Sequence, residues 1–288
     1  MFFSRFQLRL ALPFSLPVLL LAAGCAVPRS DLPPDVPDPD DVRVVHDGGY
    51  RLCIDGSCLN ADETEALFRE LSAARERILA FLGGARAPGD FRGYGTTRPE
   101  CPSLDPLPLP PRIDVVVVRE GERCHADSDG ITLLQSHLPR RDATHELVHF
   151  LAGSSWRPID EGLAVYLTER IWGPDKTIPV KIRARVFSDL NLRVNLEPAA
   201  MRRGMSRRDY DVAGAFVGWL IEAFGPERFW TLYHGPVRDY HSAYGRSESE
   251  LWGRFWRFVR NLEVRHDASY HRYRDRLTRP RAPARADD

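Results

Sequence analysis

Within Asp62–Leu82, apolar residues recur at Leu67, Leu71, Ala74, Ile78 and Leu82. That is the spacing of one buried helical face, and Gly83-Gly84 ends it. Just before it, Cys53-Ile-Asp-Gly-Ser-Cys58 sets an Asp-Gly turn between apolar flanks, which predicts a hairpin. Beyond a proline-rich connector the pattern changes. Ile113–Val118 (IDVVVV) is dense in β-branched residues and reads as a buried strand, and Ile131–Leu134, after Asp129-Gly130, reads as another. From Asp142 the helical period takes over, over Asp142–Leu151, Asp160–Ile171, Asp211–Phe224, Pro226–Tyr233 and Ser247–Leu262. Strands followed by a run of helices predict an α+β domain, with a small mixed sheet and a mostly helical C-terminal half. The aromatic series Phe216, Trp219, Phe229, Trp230, Trp252, Phe255, Trp256 and Phe258 falls at helical spacing and reads as core.

The ends of the chain follow other rules. Met1–Arg9 carries Arg5 and Arg9 and no acid, and Leu10–Ala23 is apolar apart from Pro13, Ser15 and Pro17. A bilayer span needs roughly 20 apolar residues, so this shorter stretch reads as a secretory signal peptide over residues 1–24. Leu21-Ala22-Ala23-Gly24-Cys25 resembles a bacterial lipobox. The resemblance implies cleavage before Cys25, lipidation of Cys25 and a place in the bacterial cell envelope. Ala26 rather than an aspartate after the cysteine favours the outer membrane over the inner. Residues 25–41, rich in proline and aspartate, read as an extended tether with too little apolar surface to fold. Residues 265–288 are polar and arginine-rich and read as a tail. The folded part expected between them runs over 42–264, divided into an N-terminal extension (42–110) and a catalytic part (111–264).

Composition narrows the function. Forty basic residues balance 40 acidic ones, so the net charge is zero. A nucleic-acid partner is not expected from such a balance, and attachment to a membrane falls to the lipid rather than to charge. A monomer is the default expectation. Hydrophobic residues make up 43% of the chain, enough for a sizeable core. With Cys25 assigned to lipid, export leaves Cys53, Cys58, Cys101 and Cys124, an even number in an oxidising compartment. Four cysteines allow three connectivities. The hairpin favours Cys53–Cys58, which leaves Cys101–Cys124. Neither pair has zinc-ribbon spacing.

The chemistry concentrates in Asp142-Ala-Thr-His145-Glu146-Leu-Val-His149, an HExxH motif. Positions four apart lie on one helical face, so His145 and His149 converge on one metal ion, with Glu146 beside them. Asp142 is positioned as an N-cap and Gly153 as the stop. A catalytic zinc takes three protein ligands and keeps one position open. Glu161, twelve residues after His149 in Asp160-Glu161-Gly162-Leu163-Ala164, supplies the third. Asp160 either orients a histidine ligand or caps its helix. His46, His125, His137, His234, His241, His266 and His271 lack ligand spacing and read as surface or core residues.

These motifs resemble those of the gluzincins, and more narrowly of the peptidase MA-like metallopeptidase domains, which pair HExxH with an EGxA-type motif about a dozen residues on. Tyr210–Leu220 with Phe224-Gly225-Pro226-Glu227-Arg228-Phe229 resembles a helix of that group ending in a "YGPEKF"-like turn. Ala243-Tyr244-Gly245 with Leu251 and Trp256 resembles its C-terminal segment. The resemblance covers roughly 112–260. It implies a zincin-like fold, one Zn2+ on His145, His149 and Glu161, and hydrolysis of a peptide or protein substrate outside the cytoplasm. Glu146 would act as general base on a water held by the ion. Oxyanion stabilisation falls to Tyr210, Tyr166 or His234, with Tyr210 preferred. A catalytically silent interaction module of the envelope, or a zinc amidase on cell-wall peptides, would fit the same residues.

Overall fold

The computed structural model describes residues 42–82, 112–194 and 205–279, apart from 48, 57, 122, 128–129, 154–155, 175–177 and 237. Cys25 and the signal and tether segments lie outside these residues. The architecture is α+β, a small five-stranded mixed sheet followed by a mostly helical C-terminal half.

The sheet is built from β1 (Val42–Asp47), β2 (Tyr50–Asp55), β3 (Ile113–Val118), β4 (His125–Ala126) and β5 (Gly130–Leu134), in the order β1-β2-β3-β5-β4. β2, β3 and β5 run parallel, while β1 and β4 pair antiparallel at the edges. Helix α1 (Ala61–Phe81) starts on Asn60, whose side chain and that of Glu63 form a reciprocal capping box. It buries Leu67, Leu71, Ala74 and Ile78 as its period requires. The Tyr50 hydroxyl donates to the Leu71 carbonyl (3.1 Å), tying sheet to helix.

The hairpin lies one turn earlier than the Asp-Gly pair suggests. β1 and β2 are joined through Gly49, whose φ of +95° glycine tolerates without strain. The Asp55-Gly56 turn, closed by Cys58 N–H on the Asp55 carbonyl (3.0 Å), instead leads directly into the α1 cap. The expected Cys53–Cys58 disulfide is not formed: both are buried and not bonded to one another. Successive strand residues point to opposite faces. Leu52 and Ile54 face the helices, so Cys53 joins a small cluster with Val116, Val118 and Leu134 on the other face, whereas Cys58 belongs to the main core. Cys124 is a free thiol, and Cys101, its expected partner, lies outside the described residues.

A 3₁₀ turn (Gln135–Arg140) leads into α2 (Asp142–Ala152) and α3 (Arg157–Trp172). These are followed by α4 (Val180–Asp189), α5 (Arg207–Phe224), α6 (Pro226–His234), α7 (Tyr240–Tyr244), α8 (Glu248–Asn261) and α9 (Ala268–Thr278). The aromatic series forms core as its spacing implies: Phe216 stacks on Trp252 at 3.7 Å between centroids and meets Phe255 edge-on at 5.3 Å. The polar tail needs correction. Residues 268–278 are a helix whose Tyr270 and Tyr273 are buried, with the Tyr270 hydroxyl donating to Asp189 (2.6 Å). Among the described residues no helix is long and apolar enough to cross a membrane.

Candidate metal centre

The HExxH segment forms α2, and Gly153 ends it at φ +73°, a left-handed conformation suited to glycine. Its N-cap is Arg141 (φ +64°) rather than Asp142. Asp142 is the first helical residue and faces His137 instead, its Oδ2 2.9 Å from Nδ1. The next helix begins at Arg157, three residues before the expected start. Pro158 in its first turn has no N–H to leave unpaired. This earlier start carries Asp160 and Glu161 onto a buried face directed at α2.

Three ligand atoms meet there. His145 Nε2 lies 3.2 Å from His149 Nε2 and 3.2 Å from Glu161 Oε2, and His149 Nε2 lies 3.3 Å from Glu161 Oε2. Nitrogen and oxygen ligands stand roughly 2.0–2.1 Å from tetrahedral zinc, which places any two of them roughly 3.3–3.4 Å apart. The observed triangle therefore matches one face of such a tetrahedron. The expected ligands come together.

The charges ask for a cation. Glu146, Asp160 and Glu161 are 8%, 2% and 5% exposed, three carboxylates withdrawn from water in one place. Arg157 Nε approaches Glu161 Oε1 at 3.6 Å. Burial alone would pull His149 down, but the Asp160 and Glu161 carboxylates override it and hold the imidazole well above its usual value. Burial would push Glu161 up, yet hydrogen bonds from His145 and His149 hold it well below the carboxylate range. Glu146, buried without such bonds, is raised by desolvation despite the neighbouring imidazoles.

Of the two roles open to Asp160, the structure supports orientation. Its Oδ1 lies 3.1 Å from His149 Nδ1, a contact that keeps a proton on Nδ1 and sets the ring so that Nε2 faces Glu161 and His145. The Tyr233 hydroxyl, on α6, lies 2.8 Å from both Asp160 Oδ1 and the Gly153 carbonyl, fixing the carboxylate from behind. Sequence spacing gives no hint of Tyr233, which stands 73 residues from Asp160.

The centre opens onto a cavity of about 800 Å3 lined on different sides by Glu146, Glu161, Tyr210, Arg141, Arg207 and His137. Among Tyr166, Tyr210 and His234, only Tyr210 lines this cavity. It sits in the first turn of α5, with its hydroxyl 3.4 Å from Glu161 Oε1. Burial and the Glu161 charge raise its pKa, so it remains a proton donor. Tyr166 instead receives Arg170 (2.7 Å), and His234 stacks on Trp230 at 5.4 Å. After α3, helix α4 carries Arg183, which is buried and paired with Asp211 at 2.9 Å. No known protein family, curated protein or solved structure matches the chain.

Proposed function

We propose that this chain is a zincin-like, zinc-dependent peptidase of gluzincin type, tethered in the bacterial envelope by a lipid on Cys25. The observation that carries the reading is the triangle of His145 Nε2, His149 Nε2 and Glu161 Oε2, with sides of 3.2–3.3 Å, on the wall of a cavity that Glu146 shares.

His145, His149 and Glu161 would hold the ion, and Asp160 with Tyr233 would keep His149 in its ligating tautomer. A bound zinc ion supplies Lewis acidity, acidifying water and polarising the scissile carbonyl. Glu146 takes a proton at its carboxylate and returns it to the leaving amine. Burial has already moved it upward from the ordinary carboxylate range, which makes it the stronger base. Tyr210, kept protonated, donates toward charge developing on the carbonyl oxygen. The cavity has room for an extended peptide segment around the cleaved bond.

Metal analysis tests the reading first. Protein purified without chelator is expected to carry about one zinc per chain and to hydrolyse peptides, and chelation should remove both properties until zinc is restored. Less than about half an equivalent of zinc would sink the proposal, because a preorganised three-ligand site retains its ion.

The orienting carboxylate gives a finer prediction. Asp160→Asn removes the charge that faces His149 Nδ1 and lets an amide N–H oppose the ring proton. Zinc affinity, read by competition with a chromogenic chelator, is expected to fall roughly 10–100-fold. Tyr233→Phe should cause a smaller loss in the same direction. Unchanged affinity in both variants would reduce Asp160 to a packing residue.

A further inference from the structure

A second group of ligating side chains opens onto the same cavity. Cys124 precedes β4, His137 belongs to the 3₁₀ turn and Asp142 begins α2. They bring a sulfur, an imidazole nitrogen and a carboxylate oxygen within 4.8 Å of one another. Asp142 Oδ2 stands 2.9 Å and Cys124 Sγ 3.7 Å from the same ring atom, His137 Nδ1.

That shared nitrogen decides what the cluster can do. In a cysteine–histidine–acid relay, the two ring nitrogens serve opposite partners, one the nucleophile and the other the acid. Here both partners converge on one nitrogen, so no relay passes through the ring. Three donor atoms from three separate elements, gathered around one point, instead make a coordination site. The set of one soft sulfur, one imidazole and one hard oxygen suits zinc or cobalt and disfavours magnesium and calcium. The Leu134 backbone N–H also donates to Cys124 Sγ at 3.2 Å, while burial, with the Glu146 and Asp142 charges, pushes the thiol up to about 12, so an ion binding there has to displace its proton. All three residues are half-buried and line the cavity, so an ion has a path in and an open coordination position.

We propose that Cys124, His137 and Asp142 form a second transition-metal site, taking zinc and sharing no ligand with His145, His149 and Glu161. Asp142 lies one helical turn before Glu146 on α2, so an ion there stands at the wall of the same cavity as the first site.

Cobalt separates the two sites. The first offers only nitrogen and oxygen, so a near-ultraviolet sulfur-to-cobalt charge-transfer band reports the second alone. The full chain, stripped of metal and kept without reductant, is titrated with Co2+. The band is expected in the wild type and in His149→Ala, to vanish in Cys124→Ser, and to need at least roughly tenfold more cobalt in His137→Ala. Zinc retained at the first site by Cys124→Ser serves as the folding control. If that variant loses all metal binding, Asp142→Asn, which keeps the thiol, should still show a weakened band. Absence of the band from the wild type, its survival in Cys124→Ser, or an unweakened band in Asp142→Asn would overturn the proposal. So would peptide mapping that finds Cys124 oxidised in a disulfide.

Discussion

Glu146→Gln is expected to abolish peptide hydrolysis while leaving zinc in place. The substitution keeps the shape of the side chain and removes only its capacity to accept a proton. General-base catalysis typically contributes roughly 10²- to 10⁴-fold, so the loss should reach at least that range in kcat/KM. The fold should not suffer. Glu146 is 8% exposed and desolvation opposes its charge, and Glu161 and Asp142 add like-charge repulsion. An amide at this position relieves both costs, so the thermal midpoint should hold or rise. Zinc content should match the wild type, since the ligand triangle does not include residue 146. Equal hydrolysis by wild type and variant would sink the proposed mechanism. A zinc-loaded wild type that cleaves no peptide in a broad library would instead establish a binding module that retains the metal site.

What could be read in advance depended on how local the signal was. His145, Glu146 and His149 lie within one and a half turns of one helix, so their spacing determines their convergence before any tertiary contact is known. Glu161 was legible because the next apolar helix opens beside it, and the short link returns that helix against α2. Tyr233 had no such signal: it reaches Asp160 only because α6 packs behind the site. Cys124 and His137 were illegible for a related reason, being delivered by an edge segment and a 3₁₀ turn with no periodicity.

Two patterns compete in several elements. Val180–Asp189 (VKIRARVFSD) alternates apolar and charged residues like a strand, yet forms helix α4. Its Arg183 can sit inside because Asp211 and the Ile178 carbonyl, 2.7 Å away, satisfy its guanidinium. The N-terminal hairpin was displaced because Gly48-Gly49 and Asp55-Gly56 both signal turns, and only the sheet's parallel pairing of β2 with β3 decides which one reverses the chain. Helix α9 has the composition of a polar tail because Tyr270 and Tyr273 are its only buried side chains.

The glycine inside the Asp160–Ala164 motif leads to the other large effect. Gly162→Ala is expected to destabilise the fold and weaken zinc binding together, although the methyl group touches neither ligand nor metal. A Cβ on residue 162 would lie 2.6 Å from the Ala213 carbonyl oxygen and 2.7 Å from Val217 Cγ2. The first is backbone, which cannot swing aside as a flexible side chain can. Across the same seam, Gly214 admits Val165 and Gly218 admits the Tyr166 ring, where added Cβ atoms would meet side chains at 2.5 and 2.7 Å. Helices α3 and α5 therefore touch almost backbone to backbone, and relief at residue 162 requires them to part. Overpacking of this kind costs roughly 1–3 kcal/mol, and an immovable carbonyl places this site toward the upper end. For a domain of this size each kcal/mol lowers the melting midpoint by roughly 2–4 °C. Glu161 is the preceding residue and Tyr210 stands on α5, so the same displacement pulls a ligand away from His145 and His149. Gly253→Ala on α8 supplies the control, because nothing lies within 4 Å of its added Cβ. Alanine's better helix propensity should make that variant neutral or more stable by up to about 1 kcal/mol. The two alanines should thus move the midpoint in opposite directions, and only Gly162→Ala should lower zinc affinity. Coincident midpoints would contradict the close approach of α3 and α5. A midpoint lowered with zinc affinity intact would show that the ligand triangle holds its geometry independently of the helix seam beneath it.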